Sequence, residues 1–241
     1  MTDRQCCGTD PAALLLSEEN GNWGKIMTFS TMLSTMASGM WKTFLIFSLT
    51  LIGSLPLGMI VALLRKSKFA PVRGFIKGYI SIMRGTPLML QLLVWYFGPF
   101  YLFGWNIGSW RFPAIIVGFV LNYAAYFAEI YRGGIESIPV GQYEAAEVLG
   151  YTKTQTFMKI ILPQVIKIIL PSVTNEVITL VKDTSLAFTL AYAEVFSLAK
   201  QIAASQSSFM PFLIAGVFYF VANYLVEFVM TRIEKSMDYY K

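Results

Sequence analysis

Five stretches of this chain, near residues 40–64, 79–103, 112–131, 164–181 and 211–230, are apolar over close to the ~20 residues that a helix needs to cross the hydrocarbon layer of a bilayer. Runs of that length are hard to place in a soluble core. The chain has 56% hydrophobic and 14% charged residues, with a mean hydropathy of +0.57, so the competing picture of one greasy soluble domain is set aside. The expected fold is an all-α integral membrane protein of about five transmembrane helices. Glycines and prolines inside the first run (Gly53, Pro56, Gly58) are compatible with this, because neighbouring helices cover the loosened backbone.

The chemistry open to the chain is narrow. Histidine is absent and the two cysteines, Cys6 and Cys7, are adjacent near the N-terminus, so neither a histidine-based catalytic site nor a Cys/His metal cluster can be assembled. No metal site and no catalytic residue is expected. The formal charge of +5 does not point to nucleic acid, because the basic residues sit at the ends of apolar runs, where they set membrane orientation.

The segment Arg65 to Lys77 carries five basic residues and no acid, which marks it as cytoplasmic. Counting outward from it, twelve basic residues fall on the inner side and six on the outer, with Arg84 left inside a span. The N-terminus is therefore expected outside and the C-terminus inside. Residues 1–38 read as a tail with an interfacial helix near 23–36, residues 39–232 as the membrane domain, and 233–241 as a cytoplasmic tail. Five crossings are few for one chain to enclose a symmetric pathway, so a pair of such chains is expected.

One cytoplasmic segment does not belong in a membrane. Residues 136–163 hold EAAEVLGYTKTQTFMKIILP, which reads as two short helices hinged at Gly150, glycine being the residue that takes the left-handed turn ending a helix. Pro163 suits the first turn of the next helix. A soluble insert between spans calls for a soluble partner.

Together these residues resemble a known family. Glu144-Ala145-Ala146, Gly150 and the Ile160-x-Leu162-Pro163 ending are similar to the EAA loop of permease subunits of bacterial ABC importers. Arg84-Gly-Thr-Pro87-Leu88 with Gln91, Ala125-Tyr126-x-x-Glu129-x-x-Arg132-Gly133-Gly134-Ile135, Gly141-Gln142, Leu162-Pro163-Gln164 and Lys182-Asp183-Thr184-Ser185-Leu186 narrow it to the polar amino acid importers. The resemblance spans residues 39–231; the longer tail departs from it. It implies a type I importer fold, with Gly141, Gln142, Glu144, Ala145, Ala146 and Gly150 docking on a cytoplasmic ATPase. It also implies ATP and magnesium on that partner, a second permease chain that is identical or homologous, an external amino-acid-binding protein, and a bacterial cytoplasmic membrane. The chain lacks a G-x-x-x-x-G-K-[ST] phosphate loop, so it is not itself expected to be an enzyme, and it holds no cofactor.

Ionisable groups cost roughly 2.5–3.5 kcal/mol at a span centre on insertion scales, so each needs a partner or a polar cavity. Glu129 and Arg132 are three apart and suit a local ion pair as well as a gate. Arg84, Pro87 and Gln91 are assigned with them to gating or structure. Glu176 and Asp183, seven apart, fall on one helix face, and Asp183 with Thr184 and Ser185 offers an amino acid both a carboxylate and hydroxyl donors. This segment is read as bordering the substrate pathway. An ion-coupled secondary amino acid transporter is the alternative, but it leaves the Glu144 insert without a use and no internal repeat supplies a second half. An intramembrane hydrolase lacks both a histidine and a facing aspartate pair.

Overall fold

The computed structural model describes residues 28–106 and 108–237. The expectations for residues 1–27, Cys6 and Cys7 among them, and for 238–241 lie outside the described residues. The elements are α1 (Phe29–Arg65), α2 (Ala70–Gly85), α3 (Leu88–Phe103), α4 (Arg111–Glu136), α5 (Val140–Val148), α6 (Lys153–Gln155), a π-helical turn (Thr156–Ile161), α7 (Leu162–Asp183), a 3₁₀ stretch (Thr184–Leu190), α8 (Val195–Gln206) and α9 (Met210–Ser236). Among the described residues, four helices are long and apolar enough to cross a membrane, and a bent α2–α3 pair makes a fifth candidate.

Helix α4 is the pillar of the bundle. Its buried residues include Ala114, Ile115, Phe119, Tyr123, Ala124, Phe127 and Ala128, and α1, α2, α3 and α7 all pack on it. The crossing with α1 depends on small residues: a methyl group at Gly58 would lie 2.8 Å from Phe127 Cβ and 3.1 Å from the Ala124 carbonyl. Close backbone approach of this kind holds helices together where no water is displaced to drive them. The same holds across the bundle at Gly134, where an added Cβ would sit 2.1 Å from Ile169 and 3.2 Å from Val165 of α7.

Several boundaries differ from those expected. The first helix starts at Phe29, so residues 29–38 belong to it and not to a tail. The polar residues there are satisfied locally, Ser34 and Thr35 both donating to the Thr31 carbonyl, while Met32 and Met36 are buried in a second apolar cluster with Val195 and Ile202 of α8. The last helix likewise continues to Ser236, past the expected end at 232.

The expected second span, 79–103, is two helices bent by 113° at Thr86–Pro87. Proline restricts the residue before it to extended backbone, and Thr86 has φ −119°, ψ 148°. Proline also leaves the Met83 carbonyl without its i+4 donor. That carbonyl accepts instead from Gln91 Nε2 at 2.9 Å and from Asn122 Nδ2 at 3.0 Å. Inside a bilayer an orphaned carbonyl costs several kcal/mol, roughly, which is why the break is found where α4 covers it.

The fourth span is longer than 164–181. Helix runs from Lys153 through Leu190, and Pro163 lies in the first turn of the α-helix that resumes after the π turn. A wider turn there absorbs the missing N–H without ending the helix.

Gly134→Ala is expected to destabilise the bundle by about 1–3 kcal/mol through overpacking against Ile169. Gly133→Ala, whose methyl would meet nothing within 4 Å, serves as the control. Thermal unfolding of the purified protein checks this, and equal midpoints for the two variants would count against close α4–α7 packing.

Candidate functional site: a hydrophilic insert and an arginine-bound glutamate

The hydrophilic insert folds as a compact corner. Helix α5 ends in a Schellman turn, with Tyr151 N–H donating to the Ala146 carbonyl and Gly150 N–H to that of Glu147. Gly150 takes φ +79°, the left-handed conformation expected of the hinge. Thr152 then caps the next helix in a reciprocal capping box with Gln155. Two adjacent devices thus set the angle between α5 and the long helix leading to Asp183.

The expected docking residues divide into two sets. Gly141, Gln142, Glu144, Ala145 and Gly150 are exposed. Ala146 is 1% exposed and faces the chain itself, so its small size serves packing of α5 against the π turn, not a partner. The insert also shows Val148 at 88% and Leu149 at 73% exposure, beside the Gly150 corner. These two were missed from sequence because single apolar residues in a charged stretch carry no signal until the helix face is known.

Eleven residues before the start of α5, on the helix that leads into this insert, Glu129 gathers three arginines. Arg65 at the end of α1 pairs with it directly, Arg132 donates to it through Nε at 3.1 Å and Nη2 at 2.9 Å, and Arg84 at the end of α2 stands 3.8 Å away. Arg132 also pairs with Glu136, and Arg84 lies over the Tyr126 ring, 5.4 Å from its centroid. The expected Glu129–Arg132 pair is present, but as part of a knot joining α1, α2 and α4. Arg65 could be suspected only as the first residue of the basic loop. Its contact spans 64 positions, which no local spacing reports.

Pro87 makes the α2–α3 break and Gln91, one turn into α3, bridges it, donating also to the Thr86 carbonyl and hydroxyl at 3.1 and 2.8 Å. Asn122, which donates to Gln91 Oε1 at 3.0 Å, completes this polar knot and was not singled out from sequence.

The expected pathway residues are brought near one another only in part. Asp183 accepts a 2.7 Å hydrogen bond from Tyr123, and Glu176, half-buried on α7, has Arg84 and Asp183 as charged neighbours. Thr184 is a correction: it is 0% exposed and its hydroxyl donates to the Val181 carbonyl, because the chain tightens into 3₁₀ geometry there and turns the side chain inward. Ser185 stays accessible, though its hydroxyl donates to the Lys182 carbonyl at 2.8 Å. A further acid, Glu194, is fully buried and caps α8 through the Phe196 and Ser197 amides, with Tyr219 donating to it at 2.9 Å.

The described residues thus form a helical bundle of membrane-spanning length, interrupted by a structured insert between α4 and α7. Residues 54–239 match the family model described as binding-protein-dependent transport system inner membrane component, and the chain belongs to that family. It is 36% identical over 208 residues to the L-cystine transport system permease protein TcyB of Bacillus subtilis (strain 168), covering 85% of this chain and 87% of that protein. It is also 36% identical over 200 residues to the arginine transport system permease protein ArtQ of the same organism, covering 83% and 90%. A solved structure described as an amino acid ABC transporter with histidines superposes with a TM-score of 0.78 at 31% identity, covering 88% of this chain and 100% of that one. The resemblance to ABC importer permeases is thereby upheld.

Glu129→Gln is expected to cost about 3–5 kcal/mol in stability, the range for breaking a buried ion pair and leaving its partners unneutralised, reduced somewhat by the partial exposure of the arginines. Glu136→Gln, at a side chain 51% exposed, should cost no more than about 1 kcal/mol. Unfolding midpoints of the two variants measured side by side check the ranking.

Proposed function

We propose that this chain is the membrane-spanning permease of an ATP-driven importer that carries a polar amino acid inward, working as a pair of permease chains. The observation that carries the reading is the insert: a helix with exposed Val148 and Leu149, a left-handed turn at Gly150 and a capped restart, at the end that the basic loop marks as cytoplasmic. Helix α5 docks in a groove of a separate ATPase subunit, with Glu144 offering a charge-assisted contact to a basic partner. ATP and magnesium sit on that ATPase, and an extracytoplasmic binding protein delivers the substrate. The names of relatives at 36% identity, which include cystine and arginine permeases, support the amino acid class.

Movement of the insert reaches the membrane along α4 and α7, which leave the insert at its two ends. Helix α4 carries Glu129, so a shift of α5 reaches α1 and α2 through Arg65 and Arg84. Helix α7 carries Glu176 and Asp183, which border the substrate route. The ammonium of an amino acid needs such a carboxylate, and the Tyr123 hydroxyl holds Asp183 in place for it. Ser185 stands beside them; the insert spans 136–163, the membrane domain takes in the whole of the first and last helices, Phe29–Arg65 and Met210–Ser236, and the N-terminus lies outside.

Replacing Gly150 by valine forces a branched residue into a left-handed turn, at a cost of roughly 1–2 kcal/mol. ATP-dependent, vanadate-sensitive uptake into vesicles containing the whole complex should fall several-fold, with ATPase retention reduced in the same preparation; Glu144→Ala should act in the same direction. Normal uptake in both variants would sink the coupling role. Asp183→Asn keeps the Tyr123 contact but removes the charge, and should weaken amino acid uptake while the complex still assembles. An unchanged rate and half-saturation would return Asp183 to a structural role.

A further inference from the structure

The inner ends of α1, α2 and α4 enclose a cavity of about 370 Å³, open to the surface and lined by Arg65, Lys77, Ser81, Arg84 and Glu129 among others. We propose that this cavity holds the phosphate of an anionic phospholipid headgroup. Glu129 is the one carboxylate in its wall, and it is already engaged by Arg65 and Arg132. Arg84 reaches Glu129 only at 3.8 Å and is half-exposed, and Lys77 is exposed and in no ion pair among the described residues. Lys77 and the Ser81 hydroxyl line the opening beside Arg84, whose neighbouring acids, Glu129 at 3.8 Å and Glu176, are shared with other charged groups, so positive charge is in excess there. A phosphodiester supplies the missing charge and accepts from all three.

The surroundings favour a lipid over a dissolved anion. The same short stretch exposes Phe69 at 63%, Phe75 at 77% and Ile82 at 61%. On a helical wheel Phe75 and Ile82 lie on one side of α2 and Arg73, Lys77 and Arg84 on nearly the opposite side, with Ile76 and Ile80 buried between them against the bundle. Apolar side chains beside a basic face are what an element at the boundary of acyl chains and headgroups presents. Basic pockets between membrane helices on the cytoplasmic side are recognised hosts for anionic headgroups. A second copy of this chain is a poor occupant, because it would bring the same excess of positive charge. The proposal rests on the membrane placement of these helices and not on the transport reading, since its test reads bound lipid without uptake.

The whole transporter complex, purified in neutral detergent, would be incubated with equal amounts of phosphatidylglycerol and phosphatidylcholine, washed, and its retained lipid read by native mass spectrometry. The expected result is retention of phosphatidylglycerol over phosphatidylcholine. Lys77→Gln and Arg84→Gln should each lower that preference about fivefold, the effect of one basic residue at a charged membrane surface. Lys77→Arg should keep it, and Lys200→Gln, on α8, should leave it unchanged. Lys77 is exposed, so its variants fold even if Arg84→Gln weakens the Glu129 knot. An unchanged preference in Lys77→Gln overturns the proposal, as does an equal loss in Lys200→Gln. Displacement of the lipid by inorganic phosphate would reassign the cavity to a soluble anion.

Discussion

A backbone carbonyl or amide inside a bilayer has no water to turn to, and the architecture of this protein follows from that constraint. Long uninterrupted helices meet it by default. Where the chain must depart from helix, a side chain takes over: Gln91 and Asn122 answer the carbonyl that Pro87 orphans, and Glu194 receives the free amides that open α8. Gln91 comes from the far side of the break and Asn122 from α4, and Glu194, the N-cap of α8 itself, also accepts from Tyr219 of α9, so each one ties helices together. The bends are therefore among the most cross-linked points of the bundle.

Helix α4 is where those ties converge. It covers the α2–α3 break through Asn122, holds Asp183 through Tyr123, and collects Arg65 and Arg84 through Glu129. Gly53 and Gly58 of α1 and its own Gly134 let α1 and α7 approach it closely. A helix so placed, running directly into α5, is suited to carry a displacement of the insert to three other helices at once. The charged knot near its C-terminal end is partly exposed, the Glu129 side chain at 13% and those of Arg65, Arg132 and Arg84 at 22%, 29% and 45%.

Much of this was legible in the residues. The Gly150 hinge and the Glu129–Arg132 pair are local: each depends on spacings within one or two helical turns, and each is found where expected. The expectations that failed turned on which groups answer the backbone, which composition does not report. Residues 29–38 looked polar enough for a tail because their hydroxyls could not be seen bonding to carbonyls one turn back. The run 79–103 looked continuous because a proline kinks or breaks a helix according to whether a donor can reach the freed carbonyl, and that donor came from α4. Thr184 looked available because the tightening to 3₁₀ geometry that buries it is not a property of its neighbours alone.

By itself, the sequence determined that this chain lives in a membrane as helices and that a hydrophilic hinge interrupts the spans, because hydrophobic length and glycine conformation act over short stretches of chain. Only the tertiary structure decided that the second span is broken, that Ala146 faces inward while Val148 and Leu149 face outward, and that Glu129 binds arginines from three helices. Those outcomes depend on which groups meet across tens of residues, where free energy depends on distance in space and spacing along the chain says little.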